Sequence, residues 1–149
     1  MSSARTYGTE SGNGENLLGY WLPFGVTYLL RRGDEYQGLP AVWDWSALPG
    51  LTAPAEVPGL TGLQRHPVTF VGGLSNGRSG MAAMRLDKLQ TQARKAWFIH
   101  GDTLVALGSG IRSERDKPVR TTLNQTRFKG NVFTAGGRWQ PGQSKHLRG

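Results

Sequence analysis

Cysteine is absent from this chain of 149 residues. Without thiols it can form neither a disulfide framework nor a cysteine-based metal centre. The three histidines, His66, His100 and His146, are far apart, and none belongs to a His-x-x-x-His pair. We therefore expect no metal and no other cofactor.

Long apolar runs are also missing. No run reaches the roughly 18 residues of a membrane-spanning helix, so we expect no membrane partner. The N-terminus has no basic region followed by an apolar one, which is the pattern of a signal peptide. Taken by itself, the chain is expected to stay in the cytoplasm.

Acidic residues are scarce, because 10 Asp and Glu stand against 18 Lys and Arg and the formal net charge is +8. Such a balance favours an anionic partner, whether nucleic acid, acidic polysaccharide or a membrane surface. The arginines are scattered, however, and a solvated surface is the commoner reason for that distribution. No nucleic-acid-binding motif or cluster of basic and aromatic residues is present, so we do not expect nucleic acid as the partner.

Glycine is abundant. The 22 glycines are about twice the ordinary frequency of roughly 7 per cent, and they follow no collagen period. They separate short apolar runs, which indicates many turns. We predict an all-β fold of about eight to ten short strands, arranged as antiparallel sheets that pack face to face.

Local patterns predict the individual elements. A two-residue loop at Gly101-Asp102, with glycine first, is typical of a type II′ hairpin turn. Arg85 to Ala96 has helix-forming composition, Gly108 to Gly110 should end a strand, and residues 49–67 should be a long loop or linker. The expected strands are Leu17–Trp21, Val26–Leu30, Val68–Val71, Met81–Leu86, Lys95–His100, Thr103–Leu107, Val119–Gln125 and Gly130–Thr134.

Carboxylates, carboxamides and glycines crowd together once, between Glu10 and Asn16, immediately before an apolar run. A carboxylate can fix an Arg or Tyr through charge-assisted hydrogen bonds, and a carboxamide can both donate to and accept from sugar groups. Asn and Gly also cluster in ordinary turns. The residues alone therefore leave a functional site and a turn as alternatives.

A series of motifs along nearly the whole chain resembles polysaccharide lyase family 8, the group of hyaluronate, chondroitin AC and xanthan lyases. Each motif is weak alone, but their order and spacing together are highly specific. The motifs are Met1-Ser-Ser-Ala-Arg5, Glu10 with Asn13-Gly-Glu-Asn16, Gly19-Tyr-Trp21, Gly25-Val-Thr-Tyr28, Glu35-Tyr36, Trp43-Asp-Trp45 with Leu48-Pro-Gly50, Phe70-Val-Gly-Gly73, Lys95-Ala-Trp-Phe98, Val105-Ala-Leu-Gly108 and Thr121-Thr-Leu-Asn-Gln125.

This resemblance implies that residues 1–149 are a single partial domain, an incomplete antiparallel β-sandwich of the galactose-mutarotase-like supersandwich type. In whole enzymes of the family this central sandwich follows an N-terminal α/α toroid and precedes a small C-terminal β domain. We expect both to be absent from this chain. Enzymes of the family are secreted or periplasmic, and the implied partners are an acidic polysaccharide and the toroid.

The family cleaves uronic-acid polysaccharides by β-elimination. The proton next to the carboxylate is weakly acidic, so the site must neutralise the carboxylate, supply a base and protonate the leaving oxygen. The resemblance places Glu10 at a catalytic glutamate that orients the machinery, and Asn13 at an asparagine that contacts substrate. The base belongs to the toroid, so we expect the chain to be inactive by itself.

Asn16 and Arg5 are further substrate-binding candidates with structural alternatives. An asparagine just before a strand often caps its own backbone, and a single arginine on a strand is usually at the surface. The aromatic residues could stack on sugar rings, but at this density they more often form the core. The alternative function is a non-catalytic β-sandwich that binds acidic glycans. The aromatic residues concerned are Tyr20, Trp21, Tyr28, Trp43 and Trp45.

Overall fold

The fold is all-β and antiparallel in the computed structural model of the chain. The structure describes residues 2–4, 7–8, 16–58, 64–65, 68–127, 131–134 and 137–139. Within these ranges there is no α-helix. The strands are β1 (Ser2–Ala4), β2 (Tyr7–Gly8), β3 (Phe24–Thr27), β4 (Thr52–Pro54), β5 (Gln64–Arg65), β6 (Val71–Ser75), β7 (Ser79–Lys88), β8 (Thr91–His100), β9 (Thr103–Ser113), β10 (Val119–Thr121), β11 (Val132–Thr134) and β12 (Gly137–Trp139).

The largest sheet has four strands in the order β6-β7-β8-β9, each joined to the next by a hairpin. The other described strands form two-stranded antiparallel pairs: β1 with β3, β4 with β10, β2 with β5, and β11 with β12. Neither of the two described 3₁₀ helices, each three residues long, has the length or apolar character needed to cross a membrane.

The core lies against one face of the four-stranded sheet, which we call the inner face. Strands β7 and β8 contribute Leu86 and Ala93 to it, and the segment from the first 3₁₀ helix to β4 packs over them. Alternate residues of a strand point to opposite faces, so the inner face is the buried half of each strand. The predicted face-to-face packing is confirmed. The remaining buried core residues are Tyr20, Trp21, Phe24, Val26, Leu48, Leu51 and Ala53.

The opposite face of the same sheet, the outer face, is apolar and open. Leu74, Phe98 and Leu107 alternate with the inner-face positions on three different strands and are all exposed. Phe70, just before β6, is also exposed. The two faces of one sheet therefore differ in burial although both are apolar.

The first predicted strand, Leu17–Trp21, is wrong. Gly19–Trp21 forms a 3₁₀ helix that begins where the Gly19 N–H donates to the Asn16 carbonyl at 3.0 Å. Tyr20 and Trp21 are both buried, whereas a strand would send neighbouring side chains to opposite faces. The strand expected at Val26–Leu30 begins earlier, at Phe24, and ends at Thr27.

Strand lengths were also misjudged around the later glycines. Strand β9 runs past Gly108 to Ser113, because a β-bulge absorbs Gly110 at a φ of 59°, a conformation that glycine adopts without steric cost. Residues 49–67 contain β4 and β5 as well as loop. Strand β10 is shorter than Val119–Gln125 and ends at Thr121; further on, Asn124 and Gln125 bond to distant loops through their side chains.

The hairpin at Gly101-Asp102 is confirmed: His100 pairs with Thr103, and Gly101 has a φ of 53°. The Asn76-Gly77 turn is also present, with Asn76 Oδ1 accepting the N–H of Arg78 at 3.0 Å. Both turns have glycine at a position of positive φ, which is why local sequence predicted them.

The segment with helix-forming composition, Arg85 to Ala96, instead lies in the β7–β8 hairpin. Its two-residue loop is Leu89-Gln90, with φ values of 49° and 57°. No glycine or asparagine marks this turn, so the local sequence does not show it. A left-handed conformation costs a non-glycine residue roughly 1–2 kcal/mol.

Replacing Gln90 by glycine should therefore stabilise the chain, by about 0.5–1 kcal/mol after the entropy cost of glycine is deducted. Urea unfolding of the variant would measure this. The control is Gln37→Gly, at an exposed turn residue outside the positive-φ set, which should be neutral or destabilising. A Gln90→Gly variant that is less stable than the parent would contradict the strain.

Candidate functional site

Three of the four predicted site residues, Arg5, Glu10 and Asn13, lie outside the described residues. The fourth, Asn16, is half-buried at the start of the first 3₁₀ helix, where its carbonyl accepts the Gly19 N–H. Its side chain lies so close to Gly19 that a Cβ there would be 2.6 Å from Asn16 Nδ2. No strand directly follows Asn16, and the 3₁₀ helix has no side-chain cap, so substrate binding and capping both stay predictions for this residue.

The residues that follow the polar stretch are firmly attached to the body of the fold. Trp21 is buried, and its indole Nε1 donates to the Glu56 carbonyl at 2.8 Å. The Glu56 carboxylate is in turn 2.5 Å from the Arg115 guanidinium. The C-terminal end of the candidate site therefore has a fixed anchor at Tyr20 and Trp21.

Glu35 is a carboxylate whose hydrogen-bonding capacity is already used. Its Oε1 accepts the backbone N–H groups of Arg31 and Arg32 at 2.9 and 2.7 Å, and its Oε2 accepts that of Gly33 at 2.9 Å. These bonds lower the pKa of Glu35 to about 2, because each one favours the charged form. Glu35 therefore closes its own loop and is a poor candidate for a base.

The Thr121-Thr-Leu-Asn-Gln125 motif has a structural role. The Gln125 amide donates to the carbonyls of Asp44 and Ala47 at 3.0 and 2.9 Å, and its Oε1 accepts the Asp44 N–H at 2.6 Å. Asn124 Oδ1 accepts the Tyr36 hydroxyl at 2.9 Å. The motif thus fastens two loops that are about 80 residues away in sequence.

Arg120 strengthens the same attachment. Its Nη2 lies 2.6 Å from Asp44 Oδ2 and donates to Ser46 Oγ at 2.7 Å. Burial alone would raise the pKa of Asp44, but the hydrogen bonds from Ser46 and Arg120 outweigh burial and lower it. Asp44 is therefore held as an anion by fixed donors.

The aromatic side chains mostly contact each other. Tyr28 stacks on Trp43 with ring centroids 6.2 Å apart and an interplanar angle of 6°, and Trp45 meets Trp43 edge-on at 5.3 Å. All three rings pack against the buried core. This supports the core interpretation of these residues over a stacking platform for sugars.

Lys95 is the most unusual charged group in the described part of the chain. It is buried on the inner face, its Nζ donates to the Gly50 carbonyl, and it lies 5.3 Å from the centre of the Trp97 ring. Burial lowers the pKa of Lys95 to about 8, because a charged amine loses its hydration there. No short pattern in the sequence marks this residue as buried.

Histidine chemistry has no support in the described residues. His100 is the one histidine among them, and its Nδ1 lies 2.7 Å from Ser79 Oγ at the hairpin end of the outer face. No group of three or more His, Cys, Asp or Glu side chains within the described ranges is placed to hold a metal ion.

Comparison with known proteins decides the family. The family profile described as polysaccharide lyase family 8, super-sandwich domain, matches residues 1–149. The chain belongs to polysaccharide lyase family 8. It is 41% identical to a chondroitinase-AC of Pedobacter heparinus over 142 residues, which cover 93% of this chain and 20% of that protein. It is 34% identical to a xanthan lyase of Bacillus sp. strain GL1 over 145 residues, which cover 92% of this chain and 15% of that protein.

A solved structure of a chondroitinase AC lyase has the same fold. It superposes with a TM-score of 0.79 at 38% sequence identity, covering 96% of this chain and 22% of the lyase. The chain therefore spans 15% to 22% of the length of these family 8 relatives. The resemblance inferred from the sequence motifs is confirmed, as is the sandwich fold.

The family 8 motifs can now be sorted by what their residues contact. Trp21, Asp44 and Gln125 hold the loops of the sandwich in place, and Glu35 closes a turn. The sequence does not reveal the hydrogen bonds of Asp44, Gln125 and Glu35. Their partners lie in distant segments or are backbone groups, which no local pattern shows. Arg5, Glu10 and Asn13 stay predictions of the family's active site.

The depressed pKa of Lys95 predicts that stability rises with pH. Between about pH 8 and 10.4 the folded amine is mostly neutral while the unfolded amine still binds a proton, so unfolding takes up a proton. The free energy of unfolding rises by about 3 kcal/mol at most over this pH range. Urea unfolding at pH 7 and pH 10 should show it as a difference between the parent chain and Lys95→Met.

The matched control for this measurement is Lys117→Met, which removes an exposed lysine. Other groups titrate in the same range, so only the difference between variants is informative. Identical pH profiles for the parent and Lys95→Met would contradict a buried charge at Lys95.

Proposed function

We propose that this chain forms the sandwich wall of the active site of a polysaccharide lyase that cleaves uronic-acid polysaccharide by β-elimination. The observation that carries the proposal is the match of residues 1–149 to the family's super-sandwich domain. The fold similarity to a chondroitinase AC lyase at 38% identity supports it. The net charge of +8 suits an acidic substrate such as chondroitin, hyaluronan or xanthan.

In this proposal Glu10 is a positioning residue and Asn13 binds the sugar. A carboxylate can fix the arginine or tyrosine side chains of the facing wall, while a carboxamide donates to and accepts from sugar hydroxyl and carboxylate groups. The base and the proton donor come from the facing toroid. Trp21, eight residues after Asn13 in the sequence, is buried and bonded to the Glu56 carbonyl.

The carboxylates of Glu35 and Asp44 are not free to act as the base. Glu35 is saturated by backbone donors, and Asp44 is held by Arg120 and Ser46. Elimination also needs a group that neutralises the substrate carboxylate while the proton leaves. The purified 149-residue chain should therefore release no unsaturated, ultraviolet-absorbing sugar ends from hyaluronan, chondroitin or xanthan.

A chimera tests the proposed roles directly. Residues 1–149 replace the matching segment of the Pedobacter heparinus chondroitinase-AC, to which they are 41% identical. Glu10→Gln in this chimera should lower kcat about 100-fold with little change in KM, because misplacing the catalytic groups by an ångström costs that much. Asn13→Ala should raise KM.

Glu114→Gln is the matched control in the chimera, because Glu114 is exposed and loses the same charge. It should leave both constants unchanged. Full kcat in the Glu10→Gln chimera would remove Glu10 from the mechanism. Elimination by the isolated chain would show that the facing wall is dispensable.

The second candidate function is binding of acidic glycans without cleavage. The excess of basic residues favours it, and it needs no base. Titration of the isolated chain with chondroitin sulfate at several salt concentrations separates the two functions: binding that weakens with salt supports this candidate, and no binding excludes it.

A further inference from the structure

Lys95 is a buried amine that the proposed mechanism does not use. It belongs to β8, between β7 and β9, and on the inner face it is only 6% exposed. Its Nζ donates to the Gly50 carbonyl of the facing layer. A Cβ at Gly25 would be 3.3 Å from the same Nζ and 3.3 Å from the Trp97 ring. The amine therefore lies in the space between the two layers.

The amine has fewer partners than it can use. An ammonium group has three N–H donors. Among the described residues, Lys95 has the Gly50 carbonyl as its one hydrogen-bond acceptor and the Trp97 ring as a cation–π partner. No described carboxylate lies within 4 Å of the amine. Buried charges are normally paired, so in this part of the chain Lys95 lacks a counter-charge.

A cavity of about 110 Å³ adjoins the amine. Lys95 and Trp97 line it from the sheet, and Thr27, Gly50 and Thr122 line it from the facing layer. Lys95 is the one charged residue among those described around it. A water molecule occupies roughly 30 Å³ of the liquid, so the cavity has room for a small ion. Sites for larger ligands begin at about 300 Å³, so this cavity is too small for a saccharide.

A glycine leaves this space open. Gly108 of β9 stands directly opposite Lys95 and has no side chain to fill the position next to the amine. A Cβ at Gly108 would meet one described atom within 4 Å, Ile111 Cδ1 at 3.5 Å. In the facing layer the Gly50 N–H donates to the Thr122 carbonyl at 2.8 Å. The cavity therefore follows from the backbone arrangement of both layers.

Hydroxyl groups supply further donors around the cavity. Thr52 Oγ1 and Thr121 Oγ1, which both line it, are 2.9 Å apart, so one hydroxyl hydrogen lies between them. The second hydrogen of this pair is left to donate elsewhere. The Thr122 hydroxyl makes no hydrogen bond within the described part of the chain. An amine and several O–H donors, with no carboxylate beside them, match an anion.

We propose that this cavity binds one small monovalent anion, of the size of chloride or formate, between the Lys95 amine and the threonine hydroxyls. The anion would complete the hydrogen bonding of the amine and join the four-stranded sheet to the facing layer. The site is independent of Glu10 and of the elimination reaction. Its consequence is stability, because a ligand that binds only the folded chain raises the free energy of unfolding.

The experiment compares the chain in sodium chloride, sodium formate and sodium gluconate at equal ionic strength. Gluconate has the same charge, but its six-carbon chain is too large for a cavity of about 110 Å³. Side-chain carbon NMR signals report the pKa of Lys95 in each salt. An anion that binds only the charged amine, at ten times its Kd, raises that pKa by about one pH unit. We expect a saturable rise in chloride and formate and none in gluconate.

Gly108→Val tests the location of the anion. The variant places a side chain beside the amine and keeps Lys95, and valine suits a strand. The pKa of Lys95 in this variant should be the same in chloride and in gluconate. The matched control is Gly72→Val on the outer face of β6, where a Cβ would meet no described atom within 4 Å. It should respond to chloride like the parent.

Thermal unfolding at pH 7 gives a second readout. Chloride should raise the Tm of the parent chain relative to gluconate, but not the Tm of Lys95→Met. Equal pKa values for Lys95 in all three salts would overturn the proposal, because the cavity would then hold only water. An undiminished chloride response in Gly108→Val would also overturn it, since the anion would lie elsewhere. The pKa measurement on the parent needs no variant, and neither readout bears on the chimera test of Glu10.

Discussion

Burial of an aromatic cluster against the inner face of one sheet is the interaction on which this structure depends. Trp21 meets Tyr20 and Phe24 edge to face at centroid distances of 4.9 and 5.8 Å, and these rings pack with Leu86 and Ala93 of the sheet. Each such side chain contributes about 1.5–3 kcal/mol by leaving water. Strands β3 and β4, which lie over the sheet, have only four and three residues, so packing contributes more than strand pairing to holding this layer in place.

Long-range hydrogen bonds then fix the conformation of the loops that surround this core. Gln125 and Arg120 meet Asp44, and Asn124 meets Tyr36. Gly50 approaches Thr27 so closely that a Cβ would lie 2.8 Å from it, and at a φ of 76° it also receives the Lys95 amine on its carbonyl. The segment between β3 and β4 is therefore held on several sides. These contacts account for several motifs of family 8 as parts of the scaffold.

In the proposed chemistry the sandwich positions groups at the active site, and the facing toroid supplies the base. Trp21 is fixed by its hydrogen bond to the Glu56 carbonyl, and the carboxylates of Glu35 and Asp44 are committed to structural hydrogen bonds.

The fold class, the hairpin at Gly101-Asp102 and the family could all be read from the amino-acid sequence. Glycine positions and motif order are local or cumulative signals, and they persist whatever the rest of the chain does. Tertiary structure alone decided that Leu89-Gln90 forms a turn, that Gly19–Trp21 is a 3₁₀ helix, and that Lys95 is buried. In each case contacts across the core outweigh the local preference. The pairing of Arg85 with Arg94 follows from strand register, which no single segment encodes.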